Sequence, residues 1–312
     1  MKRLYTTLAL CAFFIIAVNA QEVTRYYLNN NVPTQSKDSA TYYIKFNASE
    51  NGLLNFERFC MDNQLKEKGT VQSMLTLIRE GEITTFYSNG NKKDVTSYSE
   101  GLPNGMQTHY FSNGKVNYKI LNQSAGYGYS LQKESTSKYL FCANENDEIT
   151  LQDGNGYFKA YDDHSKISQE GNVKNTVADG IWKGYEANKL VFTEFYKNGI
   201  LIKGENYAAA EGKIYAYQQR SKRPEPKGGI NNFYTHISAS MQDMNFNNEK
   251  ITMKFIVDVT GNIQNIEVVN SSNRKVNDFA VNALKNAPKW NPALEQGKPV
   301  ERAYYMPISI KY

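Results

Sequence analysis

An internal repeat in the middle of the chain constrains its fold more than any other feature. Residues 81–90, GEITTFYSNG, recur 24 residues later at 105–114 as GMQTHYFSNG. An aromatic strand followed by Asn-Gly predicts a β-hairpin, because a type I′ turn needs a positive φ at both central residues. A single hairpin cannot bury its apolar face. We therefore expect serial hairpins that stack into an antiparallel sheet.

Weaker copies extend the repeat along the chain. Residues 194–199 read EFYKNG, residues 58–63 and 156–163 are degenerate copies, and residues 180–185 match only the start of a unit. The two strong copies resemble the MORN-variant repeats of bacterial proteins, in which Gly-x4-aromatic-Tyr units end in Asn-Gly-Lys. We assign residues 21–217 to this repeat region. Its aromatic side chains are expected to pack and cover the sheet, with an exposed binding face as the alternative.

The N-terminus has the pattern of a secretory signal peptide. Lys2 and Arg3 precede an apolar run of about 11 residues, and Val18-Asn19-Ala20 supplies a small residue at the predicted cleavage position. The alternative, an uncleaved anchor, would need ~20 apolar residues. We predict cleavage after residue 20, an exported protein and no stable membrane span in the mature chain.

Charge and cysteine content bound the remaining possibilities. The net charge is +5, and loss of Lys2 and Arg3 lowers it to +3, which is too weak to indicate nucleic-acid binding. An oxidising compartment permits a disulfide between Cys60 and Cys142. Sequence does not decide between that disulfide and two buried thiols, since the bond requires a close approach of the two Cα atoms.

The pattern changes after residues 218–229, QQRSKRPEPKGG, which we predict to be a solvated basic linker. The domain at 230–312 begins with a helical stripe from Ile230 to Met241. Apolar residues then alternate from Ile251 to Val259, which predicts a half-buried strand. Thr260-Gly261-Asn262 turns the chain into a second strand at 263–269.

A second helix and a last strand complete this domain. Ser271, Ser272 and Asn273 offer helix N-caps. The predicted apolar face of the helix comprises Val276, Phe279, Ala280, Ala283 and Leu284. Pro307 marks the last strand, 300–310, as an edge strand or a bulged one. The predicted fold is thus mainly β, with serial antiparallel hairpins followed by a small α+β domain of two helices and three antiparallel strands.

This last domain resembles the C-terminal domain of TonB. The resemblance rests on FIVDVTGNI at 255–263, VVNSS at 268–272, Trp290-Asn291-Pro292-Ala293 and Gly297-Lys298-Pro299-Val300. It implies an envelope protein of a Gram-negative bacterium, in the periplasm or associated with the envelope. It also implies capture of an extended partner segment by β-strand addition. The implied partner is a protein, with an outer-membrane receptor as the expected type.

The resemblance places the partner-binding residues on the last strand. They are Val300, Arg302, Tyr304, Tyr305, Met306 and Ile308. The alternative is that these side chains complete the domain core. Two other functions stay open: a genuine TonB-type energy transducer, and a structural or antitoxin-like repeat module. A transducer needs a membrane anchor and a long spacer, whereas residues 218–229 reach ~37 Å at ~3.1 Å per residue.

Motifs for catalysis or metal binding are missing from the sequence. His109, His164 and His236 are scattered, and no Cys-x-x-Cys or phosphate loop is present. We interpret Asp162-Asp163-His164 as a solvated turn, and Asn146-Asp147-Glu148 lacks the spacing of a calcium loop. We therefore expect a non-enzymatic protein with no cofactor and no metal.

Overall fold

The computed structural model describes residues 22–29, 32–49, 51–124, 136–208, 211–240 and 249–310. The chain divides into two compact units, Met1–Ser137 and Lys138–Tyr312. The predicted signal peptide, residues 1–20, lies outside the described residues. The domain boundaries derived from sequence remain a prediction.

The first unit is an antiparallel sheet built from consecutive hairpins. Strand β1 pairs with β2 and β3, and from β3 onward each strand pairs with the next one in sequence. The strands are β1 (Val23–Tyr27), β2 (Pro33–Thr34), β3 (Tyr42–Ala48), β4 (Leu54–Cys60), β5 (Leu65–Val71), β6 (Arg79–Phe86), β7 (Lys92–Ser99), β8 (Leu102–Tyr110) and β9 (Val116–Gln123).

The two strong repeat copies form hairpins as predicted, but their turns are of another type. In the first copy Gly90 N donates to Tyr87 O at 3.0 Å, and Tyr87 N donates to Asn91 O at 2.9 Å. Gly90 has a φ of 85°, whereas Asn89 is absent from the positive-φ residues. This is a three-residue loop with a bulge at glycine, so the prediction of a type I′ turn is wrong here.

Neighbouring turns of the first unit bond to each other across one repeat. Asn89 Nδ2 donates to Ser112 O at 2.7 Å, and Tyr87 Oη donates to Tyr110 O at 2.7 Å. One repeat earlier, Gln64 Nε2 donates to Ser88 O. The polar residues of the turns therefore hold successive hairpins in line, which accounts for their recurrence in the sequence.

The second unit continues with eight strands, each paired antiparallel to the next. They are β10 (Thr136–Ala143), β11 (Ile149–Gln152), β12 (Asn155–Tyr161), β13 (Ile167–Lys174), β14 (Val177–Glu186), β15 (Lys189–Lys197), β16 (Ile200–Ala208) and β17 (Lys213–Tyr217). Between β15 and β16, Asn198 and Gly199 both have positive φ, at 50° and 80°. The type I′ turn is therefore correct at this hairpin.

Glycines in this sheet make room for aromatic rings on the neighbouring strand. Gly171 lies opposite Trp182, and Gly204 lies opposite Tyr217. A Cβ atom at either glycine would overlap the facing ring. Trp182 is 1% exposed, so the glycine serves packing and not chain reversal at these positions.

The remainder of the second unit is the α+β domain. It contains β18 (Ser221–Lys222), β19 (Glu225–Pro226), α1 (Ile230–Ala239), β20 (Glu249–Val257), β21 (Ile263–Ser271), α2 (Asn277–Lys285), β22 (Trp290–Asn291), β23 (Ala293–Glu295), β24 (Lys298–Val300) and β25 (Arg302–Ile310). A three-stranded antiparallel sheet has the order β21-β20-β25. Together with the two helices this confirms the predicted fold class.

The α+β domain has its own apolar core. Ile251, Met253, Phe255 and Val257 are buried, as the alternation predicted, and pack with both helices and Trp290. Val259, expected on the same face, is exposed because β20 ends at Val257 and the turn follows. Phe279 of α2 is also exposed, while the small side chains Ala280 and Ala283 of that helix enter the core.

The segment predicted to be a solvated linker carries two short strands. Strand β18 pairs with β23, and β19 pairs with β22. Arg220 donates through Nε to Glu194 Oε1 at 2.8 Å and through a second nitrogen to Oε2. Glu194 is fully buried on β15. The side chain of Arg220 is 45% exposed, as expected for the basic cluster, but it is held by a buried carboxylate that the sequence did not reveal.

The first prediction concerns Gly261, in the turn between β20 and β21. Its φ is 84°, and a Cβ atom would overlap the carbonyl oxygen of Trp290. Gly212 has a φ of 62° with no atom near that position, so Gly212→Ala isolates the conformational penalty. We expect Gly212→Ala to cost about 1 kcal/mol, and Gly261→Ala roughly 1–3 kcal/mol more. Urea unfolding measures both variants, and equal losses would contradict the close contact.

Candidate functional site at the edge of the three-stranded sheet

Strand β25 lies at one edge of the three-stranded sheet. It pairs antiparallel with β20 over nine consecutive residues, from Arg302 opposite Val257 to Ile310 opposite Glu249, without a register shift. Within the described part of the chain no strand pairs with its other side. An edge of this kind presents main-chain donors and acceptors to a visiting strand.

The central strand β20 determines which residues of β25 face outward. Lys250 O accepts from Ser272 N at 2.9 Å, and Asp258 N donates to Asn262 O at 3.0 Å. The even-numbered residues of β20 therefore direct their main-chain groups toward β21. Successive residues of a strand alternate in this respect. The odd-numbered residues, including Met253 and Phe255, must then bond to β25.

The same alternation applies along β25. Tyr304, Met306 and Ile308 lie opposite odd-numbered residues of β20 and bond to that strand. Their neighbours direct main-chain groups away from the sheet. We call these the outer edge of β25: Ala303, Tyr305, Pro307 and Ser309. Pro307 has no N–H, and it occupies an outward position where β20 requires none.

The predicted binding residues separate into three groups. Met306 and Ile308 are buried in the core, and Tyr304 is half-buried with its ring 5.0 Å from that of Trp290. Burial raises the pKa of the Tyr304 hydroxyl. These three side chains face the core, as the alternative interpretation expected.

Tyr305 and Arg302 have exposed side chains, and Arg302 forms an ion pair with Glu295. Val300 is elsewhere, on the short strand β24 opposite Ala293, because the chain breaks its pairing at Glu301. The sequence prediction omitted Ala303 and Ser309 from the site. The apolar alternation of β20 together with Pro307 was the signal that could have identified them.

The opposite edge of the sheet is less regular. Strand β21 shifts register twice against β20, and Asn265 has a φ of 50°. Such bulges twist an edge strand and interrupt the row of groups that a partner would bond. The outer edge of β25 is therefore the better template for strand addition.

Other candidates from the sequence do not form sites. Asp162 Oδ1 accepts from the main-chain nitrogens of His164 and Lys166, both at 2.9 Å, so this cluster is a hairpin turn. Cys60 and Cys142 are both free thiols. Burial raises the pKa of the Cys142 thiol, which disfavours the reactive thiolate. No cluster of metal-ligating side chains occurs among the residues that were placed.

The fold and the free edge define an α+β domain of the kind that can bind an extended peptide segment at a sheet edge. In agreement, residues 248–311 match the family described as Gram-negative bacterial TonB protein C-terminal. The matched segment includes all three strands of the sheet and α2. A comparison with curated proteins gives no match. Among the described residues no helix has the length and apolarity to cross a membrane.

The second prediction tests the orientation of the edge. Tyr305→Pro removes an outward N–H that makes no ladder hydrogen bond, so we expect a loss of unfolding free energy below about 1 kcal/mol. Tyr304→Pro removes an N–H that bonds to β20, and we expect it to cost roughly 1–3 kcal/mol beyond Tyr304→Ala. Thermal and urea unfolding measure the difference. A Tyr305→Pro variant as unstable as Tyr304→Pro would reverse the assignment of inner and outer residues.

Proposed function

We propose that this is a non-enzymatic envelope protein whose C-terminal domain binds an extended segment of a partner protein at the outer edge of β25. The observation that carries the proposal is the regular nine-residue strand β25 with one strand neighbour in the described chain. The family match at residues 248–311 supports a role linked to outer-membrane transport in a Gram-negative bacterium. An outer-membrane receptor is the partner type we favour.

Main-chain hydrogen bonds supply the affinity in this proposal, and alternate side chains supply the selectivity. The outer edge offers N–H groups at Ala303, Tyr305 and Ser309, and a carbonyl group at each of its four residues. Tyr305 is 43% exposed and projects from the solvent face of the sheet, where it can contact side chains of the bound segment. Tyr304 fixes the strand from the core side.

The third prediction is tested by site-specific photo-crosslinking in the full chain. A photoreactive phenylalanine analogue replaces Tyr305 on β25 or, as the matched control, Val269 on β21. Both side chains are exposed on edge strands of the same sheet. We expect a partner adduct in Gram-negative envelopes from position 305 and none from position 269. Adducts of equal yield from both positions, or from neither, would contradict binding at β25.

The same experiment gains specificity from an edge variant. Ala303→Pro removes one outward N–H without adding a charge, and we expect it to weaken the adduct at position 305. The comparison variant is Ala303→Gly, which keeps the main-chain donor. Undiminished crosslinking in Ala303→Pro would argue against main-chain pairing.

Force transmission is the second candidate function, because the matched family takes its name from TonB. A transducer has to span a distance between membrane and partner. The segment at 218–229 has little free length, since β18 and β19 are paired and Arg220 is bound to Glu194. These contacts support partner binding without a spacer.

The fourth prediction separates the two candidates. We expect N-terminal sequencing of the protein purified from envelopes to begin at Gln21, which means that residues 1–20 have been removed. A mature protein that retains residues 1–20 would favour the transducer.

A further inference from the structure

A cavity in the first unit carries an inference that is independent of the sheet edge. It lies between the face of strands β1 to β6 and the loop at residues 72–78, and its volume is ≈ 230 Å³. Its apolar wall includes Ile44, Phe56 and Val71, each at most 4% exposed. A cavity of about 150 Å³ can hold a benzene molecule. This cavity therefore has room for one aromatic ring together with a small polar group.

Three arginines line the cavity: Arg25, Arg58 and Arg79. Among the described residues of its lining, Glu67 is the only carboxylate, and it is 6% exposed. Glu67 forms an ion pair with Arg79 at 2.8 Å and with Arg58 at 3.6 Å. Arg25 has no ion-pair partner within the described ranges. The lining thus has an excess of positive charge that its own carboxylate does not balance.

Tyr27 adds an unsatisfied donor to the same cavity. It is 2% exposed, and the proton of its hydroxyl has no acceptor in the described part of the chain, while the Arg25 guanidinium lies beside the hydroxyl oxygen. Its ring stacks on that of Tyr42 at 5.2 Å, and the Arg58 guanidinium lies 4.2 Å above the Tyr42 ring. Burial raises the pKa of the Tyr27 hydroxyl and outweighs the neighbouring Arg25 guanidinium, which lowers that pKa, so the group stays protonated and can donate. Buried polar groups without a partner are rare and call for an explanation.

The strand register explains why these groups converge. Arg25 of β1 lies opposite Ile44 of β3, and Ile44 lies opposite Arg58 of β4, so the three side chains share one sheet face. Tyr27 and Tyr42 are opposite one another on the same face, two residues along. The arginines are 36% and 39% exposed at positions 58 and 79, while the aromatic rings lie deeper. A ligand would meet charge at the mouth and apolar surface below.

We propose that this cavity binds a small organic anion, a carboxylate or a phosphate monoester that carries one aromatic or similarly sized apolar group. The apolar group packs against Ile44, Phe56 and Val71. The anionic group accepts a hydrogen bond from Tyr27 and pairs with Arg25, because charge-assisted bonds to a guanidinium suit both anions. Arg58 and Arg79 form ion pairs with Glu67 and line the entrance of the cavity.

The test uses the full mature chain and four probes: benzoate, phenyl phosphate, inorganic phosphate and neutral benzyl alcohol. Isothermal titration calorimetry measures each dissociation constant. We expect benzoate or phenyl phosphate to bind at least about tenfold more tightly than benzyl alcohol and inorganic phosphate. The tighter of the two aromatic anions identifies the class. Equal affinities for the aromatic anions and for neutral benzyl alcohol would overturn the proposal. So would the absence of binding by either aromatic anion up to millimolar concentration.

Two variants link binding to this cavity. Tyr27→Phe removes only the hydroxyl, and Arg25→Gln removes a charge that no described carboxylate pairs with. We expect each variant to raise the dissociation constant of the aromatic anion about tenfold. Lys45→Gln is the matched control, because Lys45 lies on the other face of β3 and pairs with Glu22. The Lys45→Gln variant should bind the aromatic anion with the same dissociation constant as the unsubstituted protein. Unchanged affinity in either cavity variant, at an unchanged melting temperature, places the ligand elsewhere and overturns the assignment.

Discussion

The alternation of the central strand β20 is the constraint on which the C-terminal domain depends. Side-chain direction and main-chain bonding direction both have a period of two along a strand. In β20 the residues that bury their side chains are the same residues that bond to β25, including Met253 and Phe255. A slip of one residue would expose the core and turn Pro307 toward β20. Core and outer edge are therefore fixed by one choice of register.

The ion pair between Glu194 and Arg220 constrains the second unit in a different way. Glu194 also accepts from the hydroxyls of Tyr217 at 2.7 Å and Tyr196 at 3.0 Å, so its buried carboxylate is well satisfied. Burial and this carboxylate raise the pKa of the Tyr217 hydroxyl. A buried charge without its partner is strongly destabilising. The chain is consequently held at Arg220, where it leaves the hairpin sheet for the α+β domain.

A second connection lies nearby. Lys298 pairs with Glu211 at 2.6 Å, and a Cβ atom on Gly297 would approach Ala216 O to 2.9 Å. The turn before β24 thus packs on β17, within the same unit. These contacts link the hairpins that precede residue 218 to the domain that follows residue 229, although composition alone suggested only a solvated basic linker.

Sequence predicted what depends on local pattern. The alternation of β20, the presence of helix α1 and the Asn-Gly hairpin positions were all readable, because each has a fixed period or a fixed turn chemistry. Of the predicted stripe of α1, Phe233 and Ile237 are buried, Ile230 and Tyr234 are exposed, and Met241 lies outside the described residues. The turn type at Gly90 was not readable. The pairing of Tyr87 with Asn91 leaves three residues in the loop, and this loop length determines the turn type. The ion pair of Arg220 was not readable because its partner Glu194 is 26 residues away. Asn273, one of the expected caps, caps the short 3-10 turn Arg274–Val276 that precedes α2.

The functional residues, too, divide into those that local sequence predicted and those that depend on distant strand pairing. The resemblance and Pro307 together predicted that Tyr305 lies on an edge strand. The assignment of Val300 to the same strand was wrong, because the chain leaves the strand at Glu301 and Val300 belongs to β24. The cavity in the first unit had no sequence signal at all. Arg25 and Tyr27 of β1 precede Arg58 of β4 by more than 30 residues, and only the register of β1, β3 and β4 places all three on one face. Such convergence is a property of the sheet and not of any motif.

Pro307 also bears on which partner the edge can accept. In a symmetric pair of β25 strands, each copy would place Pro307 opposite a carbonyl of the other, and the pair would lose a hydrogen bond from both copies. A foreign strand that covers the same four outward residues loses only one. Proline on an exposed edge is a known protection against self-pairing. The residue that interrupts the outer edge therefore favours an unlike strand over a second copy, which agrees with a domain that binds a partner.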